Sequence, residues 1–263
     1  MNAEAIEHRL AAALARHARL TVAVSGGVDS MTLAALAQAH RPAGATRMVH
    51  ALSPAVPAAA TARVRARAAR DGWRLEVVGA GEFEDPRYRA NPVDRCYYCK
   101  THLYDRIREL APEGAIASGA NLDDLGDYRP GLTAAAERGV IHPFIEAGIG
   151  KDAIRLLARR HGLDEVAEQP AEPCLSSRVE TGIAISAADL AFIEQAEASL
   201  AAALPANATL RCRMTARGVM VELGEAAHMP AVDIVRRLCG EAGRAFAGVR
   251  PYRRGSAFLG APA

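Results

Sequence analysis

Three stretches of the chain combine residue types that could do chemistry. The first is SGGVDS, Ser25 to Ser30, with two glycines, two serines and an aspartate in close succession. Gly26 and Gly27 permit a sharp turn and a close backbone approach, while Ser25, Ser30 and the unpaired N–H groups of a helix start are donors for an anion. Asp29 in such a place suits a divalent cation, Mg2+ for example, that bridges carboxylate and phosphate. The Walker spacing G-x-x-x-x-G-K-[ST] is absent, and with it the lysine that holds the outer phosphates. An ordinary βα turn with a serine cap has a similar composition.

The second is CYYCK, where Cys96 and Cys99 stand at i and i+3 and can present both thiols to one side of a helix start, with Lys100 beside them. A thioredoxin-type pair belongs directly at a strand-to-helix turn, whereas this one follows the irregular DPRYRANPVD. Cys174, in EPCLSSR, is the natural third partner. Three thiolates suit a [4Fe-4S] cluster with one open iron able to carry a sulfide. A zinc site that recruits a further cysteine or histidine is the alternative. Cys212 and Cys239 read as small buried hydrophobes. Lys100, Ser176, Ser177 and Arg178 lie close in sequence to these cysteines, and Arg211 and Arg213 alternate onto one face of a strand. Such cations suit a phosphorylated substrate, although solvated surface charge reads the same.

The third is GANLDDLGDYRPG, from Gly119 to Gly131. Asp123 and Asp124 could hold a metal or shape a nucleotide pocket, and Arg129 could meet an anion. A loop whose Asn and Asp cap turns has the same composition.

Something must position these stretches. Apolar runs at 20–25, 47–53, 73–79 and 115–120 alternate with helical patterns at 29–39, 58–70, 98–110 and 151–161, and VIHPF adds a short fifth run. Strand and helix in alternation predict an α/β fold with a parallel sheet covered on both faces, and each unusual stretch follows a predicted strand, where such sheets bind ligands. After Gly182 the order changes to helix, two strands, helix and strand, a small α+β unit. The expected domains are therefore 1–180 and 181–263.

Composition narrows the function classes. The chain has 263 residues, half of them apolar, and a formal net charge of +2, so no charge argument favours nucleic acid or an anionic membrane as partner. No apolar run approaches the ~20 residues that span a bilayer. The alanine-rich start, broken by Glu4, Glu7, Arg9 and Arg16, is not the pattern of a signal peptide. The expectation is a cytoplasmic protein with reduced thiols and a small-molecule partner.

SGGVDS resembles the loop of the PP-loop ATP pyrophosphatases, which cleave ATP between the α and β phosphates and join AMP to a substrate oxygen. Together with DPRYRANPVDRCYYCK, GANLDDLGDYRPG, HPFIEAGIGK, PAEPCLSSR and YRRGS, it resembles the LarE family over nearly the whole chain. The resemblance implies an ATP-dependent sulfur transferase. It would adenylate a carboxylate of a pyridinium dicarboxylate mononucleotide and replace AMP by sulfur, giving a thiocarboxylate in nickel-pincer nucleotide biosynthesis. It places Ser25, Gly26, Gly27, Asp29, Ser30, Gly119, Asp123 and Asp124 around ATP and Mg2+. Cys174 takes the sulfur-donor position, and Lys100, Ser177, Arg178, Arg211 and Arg213 face the anionic substrate. One branch of the family sacrifices the sulfur of its single cysteine. Having Cys96 and Cys99 as well, this chain resembles the branch in which three cysteines bind [4Fe-4S] and an extra sulfide, resupplied from a sulfide source, is transferred. The resemblance also implies a homo-oligomer. A PP-loop tRNA thiolase and a non-catalytic nucleotide-binding metalloprotein are the alternatives.

Overall fold

The computed structural model describes residues 2–170, 172–205, 208–224, 229–253 and 255–258. Arg254 of YRRGS and the tail 259–263 of the expected second domain lie outside them.

In chain order the elements are α1 (Ala3–Ala15), β1 (Leu20–Ala23), α2 (Val28–His40), β2 (Thr46–Leu52), α3 (Ala58–Asp71) and β3 (Leu75–Gly79). Then come α4 (Pro86–Arg89), α5 (Arg95–Leu110), β4 (Ala115–Ala117), α6 (Pro130–Glu137), α7 (Pro143–Glu146), α8 (Lys151–Arg160) and α9 (Asp164–Ala167). The last are α10 (Ala187–Ala203), β5 (Leu210–Thr215), β6 (Gly218–Leu223), α11 (Met229–Glu241) and β7 (Phe246–Pro251). The chain divides into two units, residues 1–82 with 96–172, and 83–95 with 173–263.

The first unit is built on an all-parallel sheet of order β3-β2-β1-β4. Its strands are nearly continuous apolar runs because both faces are covered. Successive residues point to opposite sides: Met48 packs with Leu10, Leu36 and Leu157 of α1, α2 and α8, while Val49 packs with Leu103, Ile107 and Val140. On α8 the buried Ile154, Leu157 and Ala158 recur at helical spacing and set its inward face. The strand order reverses between β1 and β4, and there the carboxyl ends leave a crevice for a ligand. The fifth apolar run, VIHPF, does not become a full strand. It is reduced to a parallel bridge between Ala117 and Ile141, because Pro143 lacks a donor and opens α7.

In the second unit β5 and β6 form an antiparallel hairpin and β7 pairs parallel to β6. Leu210, Cys212, Val221 and Leu223 are buried in it. The division falls at Glu172/Pro173, whereas the change of pattern in the sequence lies near Thr181, and the unit also takes residues 83–95 from between β3 and α5. Asn91 explains that membership. It adopts φ +55°, accessible to asparagine at small cost. Its fully buried amide donates to the carbonyls of Glu180 (2.9 Å) and Ile183 (3.0 Å), while its Oδ1 accepts from Arg95 (2.9 Å). No helix among the described residues is long and apolar enough to cross a membrane.

Candidate functional site

The SGGVDS loop closes on itself at the end of β1. Ser30 Oγ accepts from the Ser25 backbone N–H (3.0 Å) and donates to the Gly27 carbonyl (3.2 Å). Gly26 has φ +88°, and a Cβ there would stand 2.8 Å from the Ala60 carbonyl oxygen, so only glycine fits. Arg63 of α3, to which the sequence reading assigns no role, donates to the Gly26 carbonyl at 3.2 Å. Gly27 is the N-cap of α2 and supplies no side-chain acceptor. The first N–H groups of α2 therefore keep their capacity for an anion, and the helix dipole favours negative charge there. Replacing Gly26 by alanine is expected to destabilise the protein by about 1–3 kcal/mol. Calorimetry should show Tm lower by roughly 2–4 °C per kcal/mol, and ATP binding should weaken with it.

The loop after β4 packs on the same helix start. A Cβ on Gly119 would lie 2.8 Å from the Ser30 backbone nitrogen, so its glycine lets the two loops touch. Asn121 and Asp124 form a reciprocal cap in this loop, which is the turn-capping role its composition allows. Asp124 also pairs with Arg129 (2.8 Å), and Asp123 accepts from the Lys151 backbone N–H (2.6 Å) at the start of α8. Arg129 thus holds its own loop. At the end of β4, Ser118 Oγ lies 2.8 Å from Nδ1 of His142, a half-buried imidazole whose pKa burial pushes down against the opposing pull of Glu146 and Asp124.

Lys151 is the residue that sequence reasoning misses. Its Nζ donates to both carboxylate oxygens of Asp29, at 2.7 and 2.6 Å. The lysine absent from the phosphate loop is thus supplied by the first turn of α8. The signal in the sequence is GIGK at a predicted helix start. Asp29 itself is three-quarters enclosed: burial raises its pKa, the Lys151 hydrogen bond and charge pull it back, Asp124 raises it further, and the net shift is upward. A carboxylate held uncomfortably ionised beside a second carboxylate is the chemistry of a cation site.

Cys96 and Cys99 lie in the first turns of α5, half-buried, and Lys100 follows with its Nζ 5.9 Å from the centre of the Tyr104 ring. Cys174 belongs to the second unit and is exposed, and none of the three carries a disulfide. As a donor set, three thiols outside disulfides suit an iron–sulfur cluster. Cys212 and Cys239 are buried, and burial pushes both thiols up, as expected for packing residues.

Around Cys174 the expected anion ligands turn inward. Arg178 is 2% exposed and grips Glu197 with two donors (3.1 and 2.9 Å). It also donates to the Pro173 carbonyl, the Cys174 carbonyl and Ser177 Oγ. Arg213, 4% exposed, pairs with Glu222 (2.8 Å) and donates to the Ser177 carbonyl (2.9 Å). Burial raises the Glu222 carboxyl, but hydrogen bonds from Arg213 and Arg250 outweigh it and the carboxylate stays ionised. Both arginines therefore brace the PCLSSR turn rather than standing open to solvent, because a buried guanidinium needs its carboxylate. Ser176 is fixed in the same way by Tyr88 (2.7 Å). Arg211 is half-buried, its guanidinium 5.9 Å from the centre of the Tyr252 ring, and burial lowers its pKa.

The parallel sheet with a glycine–serine loop at its switch point, followed by a small mixed sheet, defines a PP-loop-like domain with an appended α+β unit. No protein-family model matches the chain. Over 182 residues it is 38% identical to an uncharacterized protein of Synechocystis sp., covering 68% of this chain and 67% of that one. Over 185 residues it is 28% identical to an uncharacterized protein of Methanocaldococcus jannaschii, covering 69% of each. Over 191 residues it is 29% identical to the pyridinium-3,5-bisthiocarboxylic acid mononucleotide synthase of Lactiplantibacillus plantarum, covering 72% of this chain and 69% of that protein. The chain belongs to the LarE-like family that these relatives represent.

Proposed function

We propose that the protein is an ATP-dependent sulfur transferase of nickel-pincer nucleotide biosynthesis. It would adenylate a carboxylate of a pyridinium dicarboxylate mononucleotide, release pyrophosphate, and exchange AMP for sulfur to leave a thiocarboxylate. The observation that carries this reading is the Asp29–Lys151 pair at an uncapped helix start, flanked by Asp123 and Asp124. The product named for the Lactiplantibacillus plantarum relative, a bisthiocarboxylic acid mononucleotide, supports the choice of substrate.

The N–H groups of the loop and of α2 would receive the phosphates of ATP. Asp29, with Asp124 near it, would hold the Mg2+ that accompanies them and offsets their charge. With the carboxylate so engaged, Lys151 is released to lie on the departing pyrophosphate, as the loop lysine does in Walker proteins. A carboxylate oxygen of the substrate attacks the α phosphorus, the bond to the bridging oxygen breaks, and pyrophosphate leaves. Cys96, Cys99 and Cys174 would hold a [4Fe-4S] cluster whose open iron supplies the transferable sulfide. Arg178 and Arg213 keep the Cys174 turn and Ser177 in place, while Lys100 and Arg211 offer positive charge to the anionic substrate. The reading includes a cytoplasmic homo-oligomer fed by a sulfide source.

Incubation under anaerobic conditions with ATP, Mg2+, sulfide and the dicarboxylate mononucleotide tests it. AMP and pyrophosphate should appear in equal amounts, and the nucleotide product should gain mass for oxygen replaced by sulfur. Formation of ADP and phosphate would overturn the proposal.

A further inference from the structure

Far from the nucleotide loop, three helices bring a carboxylate and two imidazoles to one point. Glu7 of α1 stands between His40, the last residue of α2, and His161, which caps α8. Its Oε1 lies 2.7 Å from His40 Nε2 and 3.0 Å from His161 Nε2. The three donor atoms lie within 4.8 Å of one another. Arg160 Nε stands 3.2 Å from the other oxygen, Oε2, which is buried and receives no hydrogen bond, while Glu4 partly balances Arg160 at 3.5 Å. Burial raises the Glu7 carboxyl, but the two histidines outweigh it and the group stays ionised.

From this geometry we infer a divalent metal site of the zinc class, with Glu7, His40 and His161 as ligands. Two imidazole nitrogens and one carboxylate oxygen are a zinc donor set that leaves a fourth position for water. Metal bonds of about 2.0–2.2 Å in a tetrahedron need donors about 3.3 Å apart. The two nitrogen-to-oxygen distances, 2.7 and 3.0 Å, fall just inside that value, so small side-chain rotations admit the ion. Ligation uses the Nε2 lone pairs, so the protons now shared with Glu7 leave those nitrogens. The frame is already rigid: Arg67, buried on α3, donates to the backbone carbonyls of His161 (2.9 Å) and Gly162 (2.6 Å). His40 is exposed and opens the path for the ion.

The place of the site in the fold gives it a role. The N-terminal ends of α2 and α8 carry Asp29 and Lys151, and their C-terminal ends carry His40 and His161. At 1.5 Å per residue, the ion would sit about 20 Å from the nucleotide loop and tie the far ends of both helices to α1. It is a clamp on the elements that position the loop, independent of any sulfur chemistry.

The test is titration of chelator-treated protein with Co2+ and Zn2+, for the full chain and for a Cys96→Ser, Cys99→Ser, Cys174→Ser variant. One equivalent of Co2+ should give weak visible bands without the near-ultraviolet band of sulfur ligation. It should persist in the cysteine variant, while His40→Asn and Glu7→Gln lose it. Zn2+ at a hundredfold excess over Kd should raise Tm by roughly 5–10 °C and leave His40→Asn unmoved. Because His40 is exposed, that variant should keep its far-ultraviolet circular dichroism. Uptake that disappears with the cysteines, or is equal in wild type and His40→Asn, overturns the site.

Discussion

Replacing Cys96 by alanine is expected to abolish repeated sulfur transfer while ATP cleavage continues. Cys96 lies in the first turns of α5, where alanine is at least as good a helix former, so the fold should survive. The SGGVDS loop, Asp29 and Lys151 are untouched, and adenylation should proceed near the wild-type rate in a single turnover, measured as pyrophosphate. Loss of a ligating thiolate is more severe than loss of an outer-shell partner, which already costs about 10–100-fold in metal affinity. Thiocarboxylate, followed by mass spectrometry, should therefore fall by more than a hundredfold, and iron content should fall with it. Cys96→Ala protein that still turns over repeatedly with added sulfide would remove the three-thiol arrangement from the account. A single equivalent of transfer, with the mass of one sulfur lost from the protein, would assign the donor to Cys174 itself.

The second large effect is expected at Asp29. Because its pKa is raised, folding favours its protonated form. Its contribution to stability is therefore present below the ordinary carboxylate value and lost as pH rises through the raised one. At neutral pH the ionised carboxylate is a net cost that Lys151 only partly offsets. Asp29→Asn should accordingly leave Tm unchanged or slightly higher. The same change removes the charge that would hold the nucleotide's cation, and kcat for pyrophosphate formation should fall about 10²–10³-fold, the range for losing one electrostatic contact in a transition state. The wild-type pH–rate profile should show an acid limb above the usual carboxylate range, absent from the residual activity of Asp29→Asn. A variant that is both unstable and active would contradict this.

Much of the fold is legible in the sequence because it is locally encoded. Strand β1, the glycine turn and α2 follow one another in Leu20 to His40 with apolar periodicity switching from two to 3.6 at the glycines. What the sequence hides is what depends on distant partners. Asn91 holds residues 83–95 to the second unit through carbonyls some 90 positions later, and nothing in DPRYRANPVD signals it. Arg178 and Arg213 read as surface cations until Glu197 and Glu222 are seen to bury them. Lys151 acquires its meaning from Asp29, 122 positions earlier, and the trio of Glu7, His40 and His161 comes from three separate helices. Ser25, Gly26, Gly27, Asp29 and Ser30 were recognisable because a phosphate loop is contiguous. A cluster of ligands from several elements leaves only single residues in the chain.

The central claim, activation of a substrate carboxylate by adenylation before sulfur enters, is tested most directly by an oxygen label. Mononucleotide carrying 18O in both carboxylates is incubated with ATP, Mg2+ and sulfide, and the AMP is analysed by mass spectrometry. Attack by the carboxylate on the α phosphorus and departure of AMP from the acyl carbon carry one labelled oxygen into AMP for each thiocarboxylate formed. Unlabelled AMP alongside thiocarboxylate, or thiocarboxylate formed without AMP, would contradict the account.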